Sequence, residues 1–165
     1  MISLTIKVLK ISYPLIIFSG FLYIEIRILY IIKNKIKIDI INEIGIILFI
    51  IYNIFLFYIV TIPDCNYNII NIILFKEIKR YPVGSKLFIK NTIGNILLFI
   101  PYGLYISYHL KISKLFIILL LGVCYSLLIE IIQLKMGRVF DIDDILLNTV
   151  GCIVGYYFYQ LIYKQ

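Results

Sequence analysis

Apolar residues run along this chain in blocks of about 20, each long enough to cross a hydrocarbon layer roughly 30 Å thick at 1.5 Å of helical rise per residue. Inside lipid each block must be helical, because no water is present to satisfy open backbone groups. The pattern predicts an all-α, polytopic transmembrane helix bundle with about five spans: Ile11–Ile32, Ile40–Ile62, Phe88–His109, Leu115–Gln133 and Ile145–Tyr163. Lys33, Lys35 and Lys37 end the first span, and Pro63 with Asp64 stops the second. The opening string MISLTIKVLKISYPLIIFSG has the basic-then-apolar order of a signal peptide. Its apolar run continues to Ile32 with no small-x-small cleavage site, so it reads as a retained helix.

The longest polar stretch, Pro63–Lys90, separates the second and third spans and carries Asn66, Asn68, Asn71, Lys76, Glu77, Lys79 and Arg80. Its middle, NIINIILFKEIKRY, is apolar and then basic. That order fits an amphipathic helix lying along the membrane surface or a solvated loop. The expected organisation is therefore two amino-terminal helices over 1–66, then an amphipathic segment and three transmembrane helices over 67–165. No internal repeat is visible, so an inverted-repeat transporter plan gains no support.

Composition agrees with the pattern: 62% of residues are hydrophobic and the mean hydropathy is +1.02, far above the roughly 45–50% apolar content of a soluble domain. The net charge of +7 comes from lysines scattered between apolar blocks, which suits a protein facing anionic lipid and gives no nucleic-acid stripe. Orientation depends on how the Pro63–Lys90 stretch is weighed. With its five basic residues counted, an inside amino terminus is favoured by nine to six; with them set aside as a long loop, the reverse is favoured by six to four. Cys65, Cys124 and Cys152 are odd in number and have no CxxC spacing, so neither a disulfide framework nor a zinc site follows. His109 is the only histidine, Ser126 has none near it in sequence, and no HExxH, P-loop or GxGxxG is present. No cofactor or metal is expected on those grounds.

Polar residues inside spans need partners or a purpose, since insertion of a charge costs on the order of 2–3 kcal/mol. Glu130 and Gln133 stand three apart near the end of the fourth span and share a helix face. The connector KMGRVFDIDD brings Arg138, Asp141, Asp143 and Asp144 to the same boundary. Asn148 follows four residues after Asp144, and Gly151 and Gly155 continue near that face, where they permit close approach of the fourth helix to the fifth. The third span contributes Asn91 and Asn95, then Pro101 and Gly103 as a kink or packing site. If the last three helices pack together, Asn95, Glu130, Gln133, Arg138, Asp144 and Asn148 converge in one polar pocket at the membrane surface.

The alternatives at these positions differ in chemistry. Glu130 and Arg138 form either a structural salt bridge or an acid and a phosphate-binding fork acting on a lipid head group. Asp141, Asp143 and Asp144 either hold Mg²⁺ with Glu130 or, as the simpler reading, one of Asp143 and Asp144 caps the fifth helix and the others are solvated. Asn95 and Asn148 orient a substrate or lock the bundle through interhelical hydrogen bonds. Glu25 and Arg27 do not share a helix face, and a shortened or tilted first span with Arg27 snorkelling toward Lys33 accounts for them.

The strings NTIGNILLFIPYG, from Asn91 to Gly103, and EIIQLKMGRVFDIDDILLNTVGCIVGY, from Glu130 to Tyr156, resemble the two signature regions of VanZ-like membrane proteins. The resemblance covers about Asn71 to Tyr156 and rests on Asn95, Phe99, Pro101, Gly103, Glu130, Gln133, Arg138, Asp144, Asn148, Gly151 and Gly155. The first two spans carry no recognisable part of it. It implies a multi-pass protein of the bacterial cytoplasmic membrane, of the kind associated with low-level resistance to teicoplanin, a lipid-anchored glycopeptide. The family's biochemical mechanism is not established. Membrane lipids, and a lipid-linked or lipoglycopeptide ligand, are the partners it implies. Arg138, Gln133, Asn95 and Asn148 would contact the ligand, and Pro101, Gly103, Gly151 and Gly155 would shape the bundle. Glu130 and Asp144 would be catalytic only if the protein is an enzyme.

Overall fold

The computed structural model describes residues 39–61 and 70–163, with isolated helical positions at 24, 25, 27, 28, 30 and 33. The first expected span, Ile11–Ile32, lies mostly outside these residues. Four described helices are long and apolar enough to cross a membrane. The protein is an all-α integral membrane protein.

The chain divides into two compact units, 1–61 and 62–165. In the first, helix α1 (Ile40–Thr61) begins where Asp39 accepts the N–H groups of Ile41 and Asn42 on its carboxylate, at 3.2 and 3.4 Å. Arg27, expected to snorkel toward Lys33, has a protein partner. Its guanidinium pairs with Glu43 at 2.9 Å, which neutralises both charges beside an apolar span.

The second unit holds the last three spans. A short strand β1 (Ile70–Asn71) is followed by a single-turn helix α2 (Lys76–Arg80), and then by the long helix α3, which runs continuously over Lys86–His109. Ser85 caps α3 by accepting the Phe88 N–H at 3.1 Å. Directly after Phe88, the five residues Ile89–Ile93 form a π turn that ends two residues before Asn95. Helix α4 (Leu115–Lys135) ends in a Schellman turn: Gly137 at φ 82° lets the Arg138 N–H reach the Gln133 carbonyl at 2.9 Å and its own N–H reach Leu134 at 3.2 Å. Strand β2 (Phe140–Asp141) then pairs in parallel with β1, Asn71 opposite Asp141, and helix α5 (Ile142–Tyr163) follows directly. The Pro63–Lys90 stretch is therefore neither one surface helix nor a free loop across its described part. Its strand is hydrogen-bonded to the α4–α5 connector, a long-range pairing with no periodic signature.

Close approach centres on α3 and α5, which corrects the expected role of the glycines. A Cβ on Gly151 would fall on the Ile96 carbonyl oxygen and lie 2.9 Å from Phe99 Cβ; one on Gly155 would meet the Ile100 carbonyl oxygen and come within 2.6 Å of Leu104 N. In return, a Cβ on Gly103 would strike the backbone of Cys152. Gly151 and Gly155 thus bring the fifth helix against the third, not the fourth. Contact between α4 and α5 passes through Gly122, where a Cβ would sit 3.1 Å from that of Cys152. At the far end of the bundle, the Tyr156 hydroxyl donates to the Ser113 carbonyl at 3.0 Å and ties α5 to the α3–α4 connector.

Candidate functional site

The start of α3, the end of α4 and the start of α5 lie at one end of the second unit, and the polar residues of all three meet there. Glu130 is 1% exposed, and its Oε2 accepts the backbone N–H of Asp141 at 2.9 Å. This bond ties the α4–α5 connector back onto α4 after the Gly137 turn. Asp141 is itself buried, and its Oδ1 accepts the Asp143 N–H at 2.9 Å, which makes it the amino-terminal cap of α5. The side-chain amide of Asn71 donates to both Asp141 oxygens, at 3.1 and 3.2 Å. Burial holds the Asp141 carboxyl above its usual value of 3.8, against the lowering effect of the bonds from Asp143 and Asn71.

Asp143 departs furthest from expectation. It is fully buried and neither caps its own helix nor meets solvent. Its carboxylate accepts the backbone N–H groups of Phe75 at 2.6 Å, Glu77 at 2.9 Å and Ile78 at 3.4 Å, so it closes the open end of α2. Phe75 is held there at φ 62°, a left-handed conformation that is strained for a bulky side chain. With Asp141 turned to Asn71 and α5, Asp143 to α2, and Asp144 to α3, the aspartates of the DIDD string point to three different partners. Among the described residues no three acidic, histidine or cysteine side chains converge as a metal cage would require.

The expected convergence of Asn95 and Asp144 is present: the Asn95 amide donates to Asp144 Oδ1 at 2.6 Å and joins α3 to α5. Arg138 acts electrostatically on both Glu130 and Asp144. Asn148 sits one turn deeper than Asp144, where its amide donates to the Ser126 hydroxyl on α4 at 2.9 Å. Its Oδ1 is buried without a hydrogen-bond partner. Gln133 is buried on the Glu130 face of α4, and Phe99 fills the α3 side. Pro101 lies inside α3, exposed toward the surroundings of the bundle, two residues before the buried Gly103.

Two groups thus separate by burial. Glu130, Gln133, Asp141, Asp143 and Asn148 are interior, whereas Asn95, Arg138 and Asp144 are half-buried and form the accessible edge. Asn71 and Ser126, named in the sequence but not placed in the cluster, and Gly122, not singled out at all, belong to the network or its packing. Ser126 had a signal, because it lies four residues before Glu130 just as Asn148 lies four after Asp144, so two polar pairs at one-turn spacing face each other.

The family model VanZ/LLP1 matches residues 44–163, which is most of the chain and includes every residue of this network. The chain belongs to the VanZ/LLP1 family. The match starts at Ile44, inside α1, well before the Asn71 limit of the motif resemblance, so α1 falls within the VanZ/LLP1 region although it carries no signature motif. No curated protein and no solved structure matches the chain.

Proposed function

We propose that this VanZ/LLP1 protein resides in the bacterial cytoplasmic membrane and binds a lipid-anchored or cell-envelope molecule at the Asn95–Arg138–Asp144 edge, altering its access without chemistry. Membership of a family associated with glycopeptide resistance supports the class of molecule. The observation that carries the non-catalytic part is the state of Glu130. A general acid must reach the atom it protonates, and Glu130 is buried with its carboxylate holding the Asp141 N–H. It serves the connector, and the connector in turn presents Arg138, whose planar fork suits a phosphate or carboxylate of the ligand.

The competing reading is a membrane enzyme acting on a lipid-linked substrate, with Glu130 and Asp144 as acid and base. Teicoplanin susceptibility of a bacterium expressing Glu130→Gln, Asp144→Asn or Arg138→Gln at equal membrane levels separates the two. Glu130→Gln keeps an oxygen for the Asp141 N–H and is expected to retain function. Arg138→Gln is expected to lose most of it. A well-folded Glu130→Gln protein with no activity would favour the enzyme.

A further inference from the structure

The stretch from β1 to α3 has a composition that the bundle does not use. Ile72, Ile73, Leu74 and Phe75 are exposed, and Val83 is 87% exposed, while Lys76, Lys79, Lys86 and Lys90 lie exposed among them. Apolar side chains left in the open beside lysines suit the interface, where the apolar parts enter the acyl boundary and the ammonium groups stay level with the head groups. The backbone is held against the start of α5 and the α4–α5 connector by the Asp143 bonds to Phe75, Glu77 and Ile78 and by the β1–β2 pair.

The same fixation decides how its charges count. A segment translocates regardless of charge when it is a long free loop or a domain, and the positive-inside rule holds for loops below roughly 60 residues. Residues 63–90 are well within that limit, and their described part is bonded to the helix ends. Lys76, Lys79, Arg80, Lys86 and Lys90 therefore belong with Lys135 and Arg138 at one end of the unit, against Lys111 and Lys114 at the other. Within this unit the described basic residues stand seven to two in favour of that end facing the cytoplasm.

We infer that the Asp141–Asp144 end faces the cytoplasm, and that Lys76, Lys79 and Lys86 seat the phosphate of an anionic phospholipid of that leaflet beside the Arg138 edge. The ligand class of the site is then a lipid with a phosphate head, presented from the cytoplasmic leaflet, and the glycopeptide outside is affected indirectly. This ligand assignment rests on the binding reading above; the sidedness does not.

Two measurements test it, both on the full chain and neither using drug susceptibility. In intact cells, with Cys65 replaced by serine, a membrane-impermeant maleimide should label Ser113→Cys, and should label Lys79→Cys only after permeabilisation. Labelling of Ser113→Cys only after permeabilisation overturns the sidedness. In detergent at low salt, phosphatidylglycerol should raise the melting temperature while phosphatidylcholine does not. Replacing Lys76, Lys79 and Lys86 by glutamine should weaken phosphatidylglycerol binding on the order of 100-fold, about fivefold per lysine. An equal response to both lipids, or an unaffected triple variant, overturns the lipid seat. A shift with glycerol phosphate as large as with phosphatidylglycerol would assign the site to free phosphate and also overturn it.

Discussion

Asp143 and Phe75, 68 residues apart in sequence, are joined by a 2.6 Å bond from the Phe75 backbone N–H to the Asp143 carboxylate. One buried side chain on a membrane helix thereby sets the conformation of a segment that precedes the third span. Asp143→Ala would leave the N–H groups of Phe75, Glu77 and Ile78 short of an acceptor in a part-buried setting, where an unmade hydrogen bond costs up to about 1–3 kcal/mol. Asp143→Ala should lower stability by roughly 3 kcal/mol, and more than Asp144→Ala, whose carboxylate accepts the Asn95 amide and is half-buried. Thermal unfolding of both variants in detergent checks the order; equal losses would remove the clamp role.

The glycine prediction concerns backbone contact between α3 and α5. Gly103→Ala and Gly155→Ala place a methyl group onto the opposing main chain, which cannot retreat as a flexible side chain would. Both should sharply reduce the folded, monodisperse fraction on size exclusion. Gly45→Ala in α1 meets nothing within 4 Å and should be neutral or gain up to about 1 kcal/mol from helix propensity. Normal behaviour of Gly103→Ala would contradict the packing.

Acidity gives a further test through Asp141. Burial raises its pKa in the folded state, so between the ordinary value of 3.8 and that raised value the folded protein holds a proton that the unfolded chain has released. Ionised Asp141 therefore subtracts stability at neutral pH, and the deficit is removed as the pH falls through the raised value toward 3.8. Relative to Asp141→Asn, which lacks this titration, the wild type should gain stability on acidification across that window. Melting curves of the two proteins against pH that run parallel would refute it.

What the sequence made legible follows from which signals are local. The spans are legible in block length, and Asn95, Glu130 and Asp144 in one-turn spacings of polar residues on α3, α4 and α5, with Arg138 in the short connector between the last two. The roles of Asp141 and Asp143 were not legible. Both depend on the 70–80 segment folding against the connector, a pairing between residues some 70 apart that leaves no period in the chain. The face of Gly151 and Gly155 was misjudged for a related reason. Small-residue spacing marks a face for close packing but does not say which neighbour fills it, and the π turn at Ile89–Ile93, invisible in sequence, shifts the register of α3 just before Asn95.

Asn148 and Ser126 offer a measure of how much the buried hydrogen bonds of this bundle contribute. Their 2.9 Å contact joins α4 to α5 beneath the site, where lipid and protein exclude water. In such surroundings an interhelical hydrogen bond is worth less than its isolation suggests, because the helices of the unfolded membrane state also find partners; measured couplings average about 0.6 kcal/mol with a ceiling near 1.7. A double-mutant cycle of Asn148→Ala and Ser126→Ala should give a coupling in that range. Each single variant should nonetheless cost more than the coupling, because Asn148→Ala also opens a cavity and Ser126→Ala strands the Asn148 amide. A coupling indistinguishable from zero would mean that the pair does not hold α4 against α5, and would leave their spacing to packing such as that of Gly122 against Cys152 and Thr149.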